Sequence, residues 1–375
     1  MPKNRILYLD VLRGFSLLGI LLVNMLSFHS PYLYIDPYKY WSRPADRFQY
    51  AVIDIFFQAS FYPLFSFLFG YSLATMREKT VDLGKSFAGI AVRRLLFLMV
   101  LGALHVMLIW HGDILLIYSI VGFLSLSVLT LPKNALFTAG VFLYLIPNAF
   151  LSIFGLFIHT SGISSNSRQA SYSLSNYSRG DFLDIFWQRF HDWGAANSGL
   201  SLLLIFTSIF PFFLIGASIA KGRKLPNKKH LPRLFWAFFI PGLVIKCLPY
   251  ITKRGFEALF VQDVFGGPLL SVSYAIAIFM LLKNKNTKKI FSIFSHAGRM
   301  SLTNYLMQSI LGTFLFYSYG LGLYGKVSIW VGTIQAAAIF LFQILFSRYL
   351  LKKFDAGPVE FVWRKFTYSK NRYIK

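Results

Sequence analysis

Three short polar stretches interrupt an otherwise apolar chain, and each holds residue types that can do chemistry. The first, LDVLRG, carries Asp10 and Arg13, and Asn24 follows on the same run. At 100° per residue the three fall within about 60° on one helical face. A carboxylate, a guanidinium and an amide on one stripe suit binding of a substrate or a phosphate. Asp10 and Arg13, at i and i+3, equally suit a local ion pair. The second stretch, GALHVMLIWHGDILLIY, sets His105 inside an apolar helix, roughly 7 Å from its end. His111, Gly112 and Asp113 form the turn that follows. Gly112 reads as a helix C-cap and Asp113 as a cap of the next helix. Neither role accounts for His105, which with a carboxylate close by has the makings of a general base. It could also be a hydrogen-bonded structural imidazole. The third stretch, GRMSLTNYLMQS, places Ser301, Asn304 and Gln308 on one face, continued by Gly312. Such a stripe either glues helices together or lines a cavity.

No phosphate-binding glycine loop, nucleophile elbow, zinc-protease motif or Cys/His ligand spacing accompanies these stretches. The single cysteine, Cys247, excludes an intrachain disulfide. Neither a metal nor nucleic acid is expected. The formal charge of +24 is scattered between apolar runs, not gathered on one polar domain.

The elements that must position these residues are membrane helices. Of 375 residues 56% are hydrophobic, 18% aromatic and only 14% charged, whereas about 25% charged residues are usual for a soluble domain. A span needs about 20 mostly apolar residues. Runs of that kind predict ten spans, near 12–30, 51–76, 90–110, 114–131, 135–158, 199–220, 232–250, 262–282, 300–319 and 327–350. Pro241, Pro249 and Gly266–Pro268 interrupt the seventh and eighth. The basic N-terminal start has no signal-cleavage pattern and reads as a retained first helix. The fold class expected is therefore all-α: a polytopic transmembrane helix bundle forming one domain over 1–375. Most of the 38 Lys and Arg then fall on one side, which by the positive-inside bias is cytoplasmic, with both termini on it. An outer loop over 159–198 starts Ser-rich. It continues as DFLDIFWQRFHDW, an amphipathic helix suited to lie on the outer leaflet or to cover an outward pocket. Residues 351–375 read as a basic cytoplasmic tail.

The stretches LDVLRGFSLLGILLVN (9–24), FYPLFSFLFG (61–70), RRLLFLMVLGALHVMLIWHGDILLIY (93–118), GRMSLTNYLMQS (298–309), LFYSYGLGLYG (315–325) and GPVEFVWRKFTY (357–368), in this order, resemble the YeiB-like family of bacterial multi-pass membrane proteins. The resemblance covers nearly the whole chain and implies a place in the bacterial cytoplasmic membrane. Positions matching the family pattern are Asp10, Arg13, Gly14, Asn24, His105, Gly112, Asp113, Gly298, Arg299, Asn304 and Gln308; His111 falls at a variable place. The family is largely of unknown function. More distantly, the early D-x-x-R-G helix is similar to that of transmembrane acyltransferases. These include the lysosomal heparan-α-glucosaminide N-acetyltransferase and enzymes that decorate bacterial surface glycans. The lysosomal enzyme's catalytic His falls between its first two spans; here that loop, 31–50, has none, and His29 lies just before it.

This resemblance implies acyl transfer from cytoplasmic acyl-CoA to an outer-face glycan or lipid acceptor. Arg13, Arg93, Arg94 and Arg299 would meet the CoA phosphates. His105, oriented by Asp113, would act as general base or carry the acyl group. Asp10, Arg13, Asn24, Asn304 and Gln308 would bind substrate. Membrane lipids are the expected surroundings, and a homodimer is one arrangement. The rival expectation is transport through Asp10, Arg13, His105 and Asn304 without covalent chemistry, which the interrupted spans suit, although the two halves show no inverted repeat of the motifs. A purely lipid-organising protein is the third reading.

Overall fold

A computed structural model describes residues 7–157, 165–222, 230–252 and 254–368. Among the described residues every regular element is helical. The first half comprises α1 (Leu7–His29), α2 (Pro37–Tyr40), α3 (Pro44–Phe56), α4 (Tyr62–Asp82), α5 (Phe87–Leu108), α6 (Leu115–Val128) and α7 (Lys133–Phe157). Two loop helices follow, α8 (Ser167–Arg179) and α9 (Phe182–Ala196), and then α10 (Leu200–Gly222). The second half holds α11 (Leu231–Lys246), α12 (Leu248–Ile251), α13 (Phe256–Val261), a π-helical turn at Gln262–Gly266, and α14 (Gly267–Lys283). It ends with α15 (Lys285–Phe291), α16 (Phe294–Arg299), α17 (Ser301–Phe316), α18 (Ile329–Lys353) and α19 (Pro358–Tyr368).

Six stretches are long and apolar enough to cross a bilayer: α1, α5, α7, α10, the continuous run from α13 through α14, and α18. Helices also stand at the other four expected spans, but α6 has 14 residues and α11 and α17 have 16 each. At 1.5 Å per residue these fall short of a bilayer core of about 30 Å. The expected second span, 51–76, is not one helix. It divides into α3 and α4 at a turn where Ala59 takes φ 58° and Pro63 starts the new helix, because proline suits the first turn of a helix and not its middle. Pro241 does not end its helix, since α11 runs through it to Lys246. The eighth span is likewise unbroken, its irregularity confined to the π turn.

Burial identifies which helices are central. In the most apolar window of α1, 56% of residues are buried, against 22% in α7. Phe142, Ile146, Phe150 and Ile153 of α7 point outward, as a helix facing hydrocarbon requires. The main core gathers Leu17, Leu21, Met25 and Phe28 of α1 with Leu98, Trp110, Tyr305, Phe316 and Phe340. Two glycines let α1 meet α16 backbone to backbone. A Cβ on Gly298 would lie 1.8 Å from the Asp10 carbonyl oxygen, and one on Gly14 would lie 2.0 Å from that of Phe294. That contact brings Arg299, which ends α16, beside the polar start of α1.

Part of the sequence expected as a tail is a docked helix. In α19, Glu360 is buried, and its carboxylate accepts hydrogen bonds from the Leu302 and Thr303 amides at 2.7 and 3.0 Å and from the Thr303 hydroxyl at 2.5 Å. It thereby caps α17. Trp363 donates its indole N–H to the Arg94 carbonyl at 3.0 Å and lies 3.8 Å under the Arg94 guanidinium. Of the expected tail 351–375, residues 369–375 lie outside the described residues. So do the start of the outer loop, 158–164, and most of the basic cluster between α10 and α11.

Candidate functional site

Two groups of the expected residues lie at opposite ends of α5, and Asn24, Asn304 and Gln308 belong to neither. One end of that helix carries Arg93 and Arg94. The other carries His105, eleven residues past Arg94, or about 17 Å along the axis.

At the Arg94 end, Arg13 Nη1 lies 3.1 Å from Asp10 Oδ1, the local pair that i, i+3 spacing allows. Arg93 donates from Nε to the Thr367 carbonyl at 2.9 Å. Asn24 is half-buried on the same face of α1. It is fourteen residues from Asp10, about 21 Å, so the shared stripe does not make a shared site.

Asn304 and Gln308 lie inside the bundle and are joined to protein. Asn304 Nδ2 donates to the Ala297 carbonyl at 3.0 Å and to Ser347 Oγ at 2.9 Å. Gln308 Nε2 donates to Gln343 Oε1 at 3.0 Å, and Gln343 Nε2 donates to the Asn304 carbonyl at 2.8 Å. This network ties α16, α17 and α18 together. The amide oxygens of Asn304 and Gln308 remain without a protein donor.

At the far end of α5, His105 and Asp113 come together, as their spacing suggests. Their side chains are fully buried, with Nδ1 3.0 Å from Oδ2. The contact has the distance of an ion pair without the alignment of a hydrogen bond, and Nε2 has no protein partner. Local sequence explains the approach. Gly102 sits one turn before His105 on the same face of α5, and a Cβ there would lie 2.8 Å from Asp113 Oδ1 and 2.5 Å from the Leu116 nitrogen. Asp113 Oδ1 accepts from the Leu116 N–H at 2.8 Å, so the residue caps α6 while its other oxygen faces the imidazole. Tyr305 of α17 clamps the turn, accepting from the Ile114 N–H at 3.2 Å and donating to the Gly112 carbonyl at 3.3 Å.

A second His–carboxylate group lies above this pair and was not anticipated. Asp192 of α9 is buried and accepts hydrogen bonds from Tyr34 at 2.6 Å, Tyr177 at 2.7 Å and Gln188 at 2.7 Å. His111 Nδ1 lies 3.8 Å from its Oδ2. Burial lowers the His111 pKa from its ordinary 6.5, against the opposing pull of Asp192. Burial first, then the neighbouring Asp192, raises that of Tyr34. Tyr177 moves up through burial, Tyr317 and Asp192 together. At neutral pH the group therefore holds a neutral imidazole and protonated phenols whose hydroxyls donate to Asp192. Arg189, also of α9 and fully buried, donates from Nη1 to the Leu108 and Ile109 carbonyls at 2.7 and 3.2 Å, a cation at the C-terminus of α5.

The orientation of α9 is the reverse of a soluble surface helix. Phe182, Leu183, Trp187 and Phe190 are exposed, while Gln188, Arg189 and Asp192 are buried. The aromatic residues that suggested an amphipathic helix thus form its outward face. Arg189 and Asp192 are part of the site, a signal present in the sequence as their i, i+3 spacing, while Asp184 is exposed in the capping box of the helix.

A third buried polar centre joins α3, α11 and the π turn. Lys246 is fully buried and donates to the Gln58 carbonyl at 3.1 Å and to Asp263 Oδ1 at 3.0 Å. Nearby, Asp54 Oδ2 accepts from Tyr38, Tyr250 and Gln262 at 2.8–2.9 Å. Among the described residues no group of three or more His, Cys, Asp or Glu is placed to hold a metal ion.

An all-helical bundle with lipid-suited outer faces and buried polar centres is a polytopic membrane protein. The comparisons with known proteins narrow this. The chain is 35% identical over 389 residues to the uncharacterised protein YxaH of Bacillus subtilis (strain 168), covering 98% of this chain and 95% of that one. It is 29% identical over 385 residues to the uncharacterised protein YeiB of Escherichia coli (strain K12), covering 96% and 95%. A protein of unknown function (DUF418) is the family whose model matches residues 221–370. The chain belongs to the YeiB-like family of uncharacterised proteins. The family model spans α11 to α19, whereas His105, Asp113, Arg189 and Asp192 lie before it.

Proposed function

We propose that the protein is a transmembrane acyltransferase of the bacterial cytoplasmic membrane, crossing it ten times with both termini inside. It would move an acyl group from cytoplasmic acyl-CoA to an outer-face hydroxyl or amine of a glycan or lipid. The observation that supports this is His105. Its Nδ1 faces a buried carboxylate, and its Nε2 has no protein partner, which is how a general base is oriented and left free to act. In the proposed step Nε2 takes the acceptor's proton as the acceptor oxygen or nitrogen attacks the thioester carbon. The C–S bond then breaks, and the proton passes to the leaving thiolate. Arg13, Arg93, Arg94 and Arg299 would hold the CoA phosphates at the cytoplasmic end.

Purified protein in nanodiscs of bacterial lipid, titrated with short-chain acyl-CoA, tests the reading. Wild type should bind and release thiol, Arg13→Ala should bind more weakly, and His105→Ala should bind without turnover. No binding and no thiol release with any short-chain acyl-CoA would sink it. The ion pair of buried Lys246 with half-buried Asp263 at the π turn favours one other reading, transport, because ionisable groups at irregular helices often mark solute or ion pathways. Solute flux in proteoliposomes that persists in His105→Ala would replace the enzyme by a transporter.

A further inference from the structure

Around the outer end of α5, buried hydrogen-bond donors outnumber their acceptors. Arg189 is fully buried, and only its Nη1 is used; Nε and Nη2 have no acceptor. No carboxylate of the described residues lies within 4 Å of it. Asp192, three residues on, gives both its oxygens to Tyr34, Tyr177 and Gln188. Tyr317, whose hydroxyl has no partner, is fully buried and stacks on Tyr177 at 4.2 Å. The indole N–H groups of Trp110 and of Trp193, one turn past Arg189, are likewise unmatched. The two α5 carbonyls offset part of the cost of enclosing a guanidinium, but a buried charge with idle donors remains unfavourable. Proteins keep such a group where something else completes it.

We propose that Arg189 is the anion-binding residue of the outer site, taking a phosphate or carboxylate group on the substrate or on a lipid headgroup. The guanidinium fork suits two oxygens of such a group, and Tyr317 supplies a further donor. The proposal rests on reading this end of α5 as the acceptor side, and it specifies that acceptor as anionic. Entry requires α9 to move. The neighbouring cavity bounded by Tyr34, His111, Ser173, Asp192 and Tyr324, which Arg189 does not line, measures about 10 Å³, room for a single water at most.

The test needs no acyl-CoA, so its outcome is independent of His105 chemistry. Wild type, Arg189→Gln and Arg189→Lys are purified in a maltoside detergent free of phosphate. Unfolding midpoint and tryptophan fluorescence are then followed while inorganic phosphate, acetate or dihexanoyl phosphatidylglycerol is added. Wild type should show a saturable rise in midpoint with at least one anion. Arg189→Gln should need tenfold more or fail to respond, with Arg189→Lys between them. A response to phosphate or acetate identifies a soluble anion, and a response to the phospholipid alone identifies a headgroup. If Arg189→Gln does not fold, Arg189→Lys carries the comparison, since it keeps the charge and loses the fork. No response of wild type to any of the three, or equal responses of wild type and variants, overturns the proposal.

Discussion

Asp113→Asn separates catalysis from scaffolding at the His105 pair. Asp113 uses its two oxygens differently: Oδ1 accepts from the Leu116 N–H at 2.8 Å, and Oδ2 lies 3.0 Å from His105 Nδ1. Asparagine retains the first contact through its carbonyl oxygen and is as good a cap as aspartate, so stability should fall by less than about 1 kcal/mol. Toward His105 it presents an NH2 in place of a carboxylate oxygen. That donor stabilises the tautomer with its proton on Nε2, which cannot accept the acceptor's proton. The equivalent change in a Ser-His-Asp triad lowers turnover by about 10⁴, and general-base catalysis is typically worth 10²–10⁴. Thiol release from acetyl-CoA in lipid nanodiscs should therefore fall at least a hundredfold, with thermal unfolding nearly unchanged. Asp113→Ala should lose turnover and about 0.5–2 kcal/mol of stability as well. Near-wild-type turnover by Asp113→Asn would refute the assignment, as would a loss of turnover that only tracks loss of folded protein.

Four further outcomes are expected. His111, with its pKa lowered by burial from 6.5, binds protons less readily folded than unfolded. Its contribution to stability is complete above about pH 6.5 and declines as pH falls toward the folded value. Unfolding midpoints of wild type and His111→Gln between pH 7.5 and 5.5 should show the flatter profile in the variant. Lys246→Met leaves the Gln58 carbonyl and Asp263, whose side chain is 41% exposed, without their buried cation and should destabilise by about 1–3 kcal/mol, with Lys246→Met/Asp263→Asn recovering part of it, as denaturant unfolding in detergent would register. Gly298→Ala forces a Cβ to within 1.8 Å of the Asp10 carbonyl and should cost at least about 1–3 kcal/mol, visible as a lower unfolding midpoint. Glu360→Gln weakens the cap on α17 and should cost about 1.5–3 kcal/mol, measured the same way.

The sequence reveals the fold wherever a signal is local. Apolar runs locate helices at all ten expected spans, since a bilayer selects for composition and composition is read one stretch at a time. His105 and Asp113 are legible for the same reason, being joined across one turn. Asp54 was overlooked because its partners, Tyr250 and Gln262, are 196 and 208 residues away, and in the chain it is one acid in an apolar run. The division of 51–76 at Ala59 carries no local mark beyond Pro63. Arg189 and Asp192 were hidden by a habit from soluble proteins, where the apolar face of a helix turns in. Beside lipid that logic inverts, and the polar face of α9 is the buried one.

The capping of α17 by Glu360 also bears on how the chain is made. The carboxylate that satisfies the Leu302 and Thr303 amides arrives 58 residues after the first of them, after every apolar span has been synthesised. Until then α17, which contributes Tyr305 to the His105 turn, enters the membrane with an open N-terminus. The turn between His105 and Asp113 is therefore among the last parts of the bundle to be secured. A chain released early, or one whose α19 is displaced by a bulky C-terminal fusion, would leave it unclamped although every apolar span has been inserted.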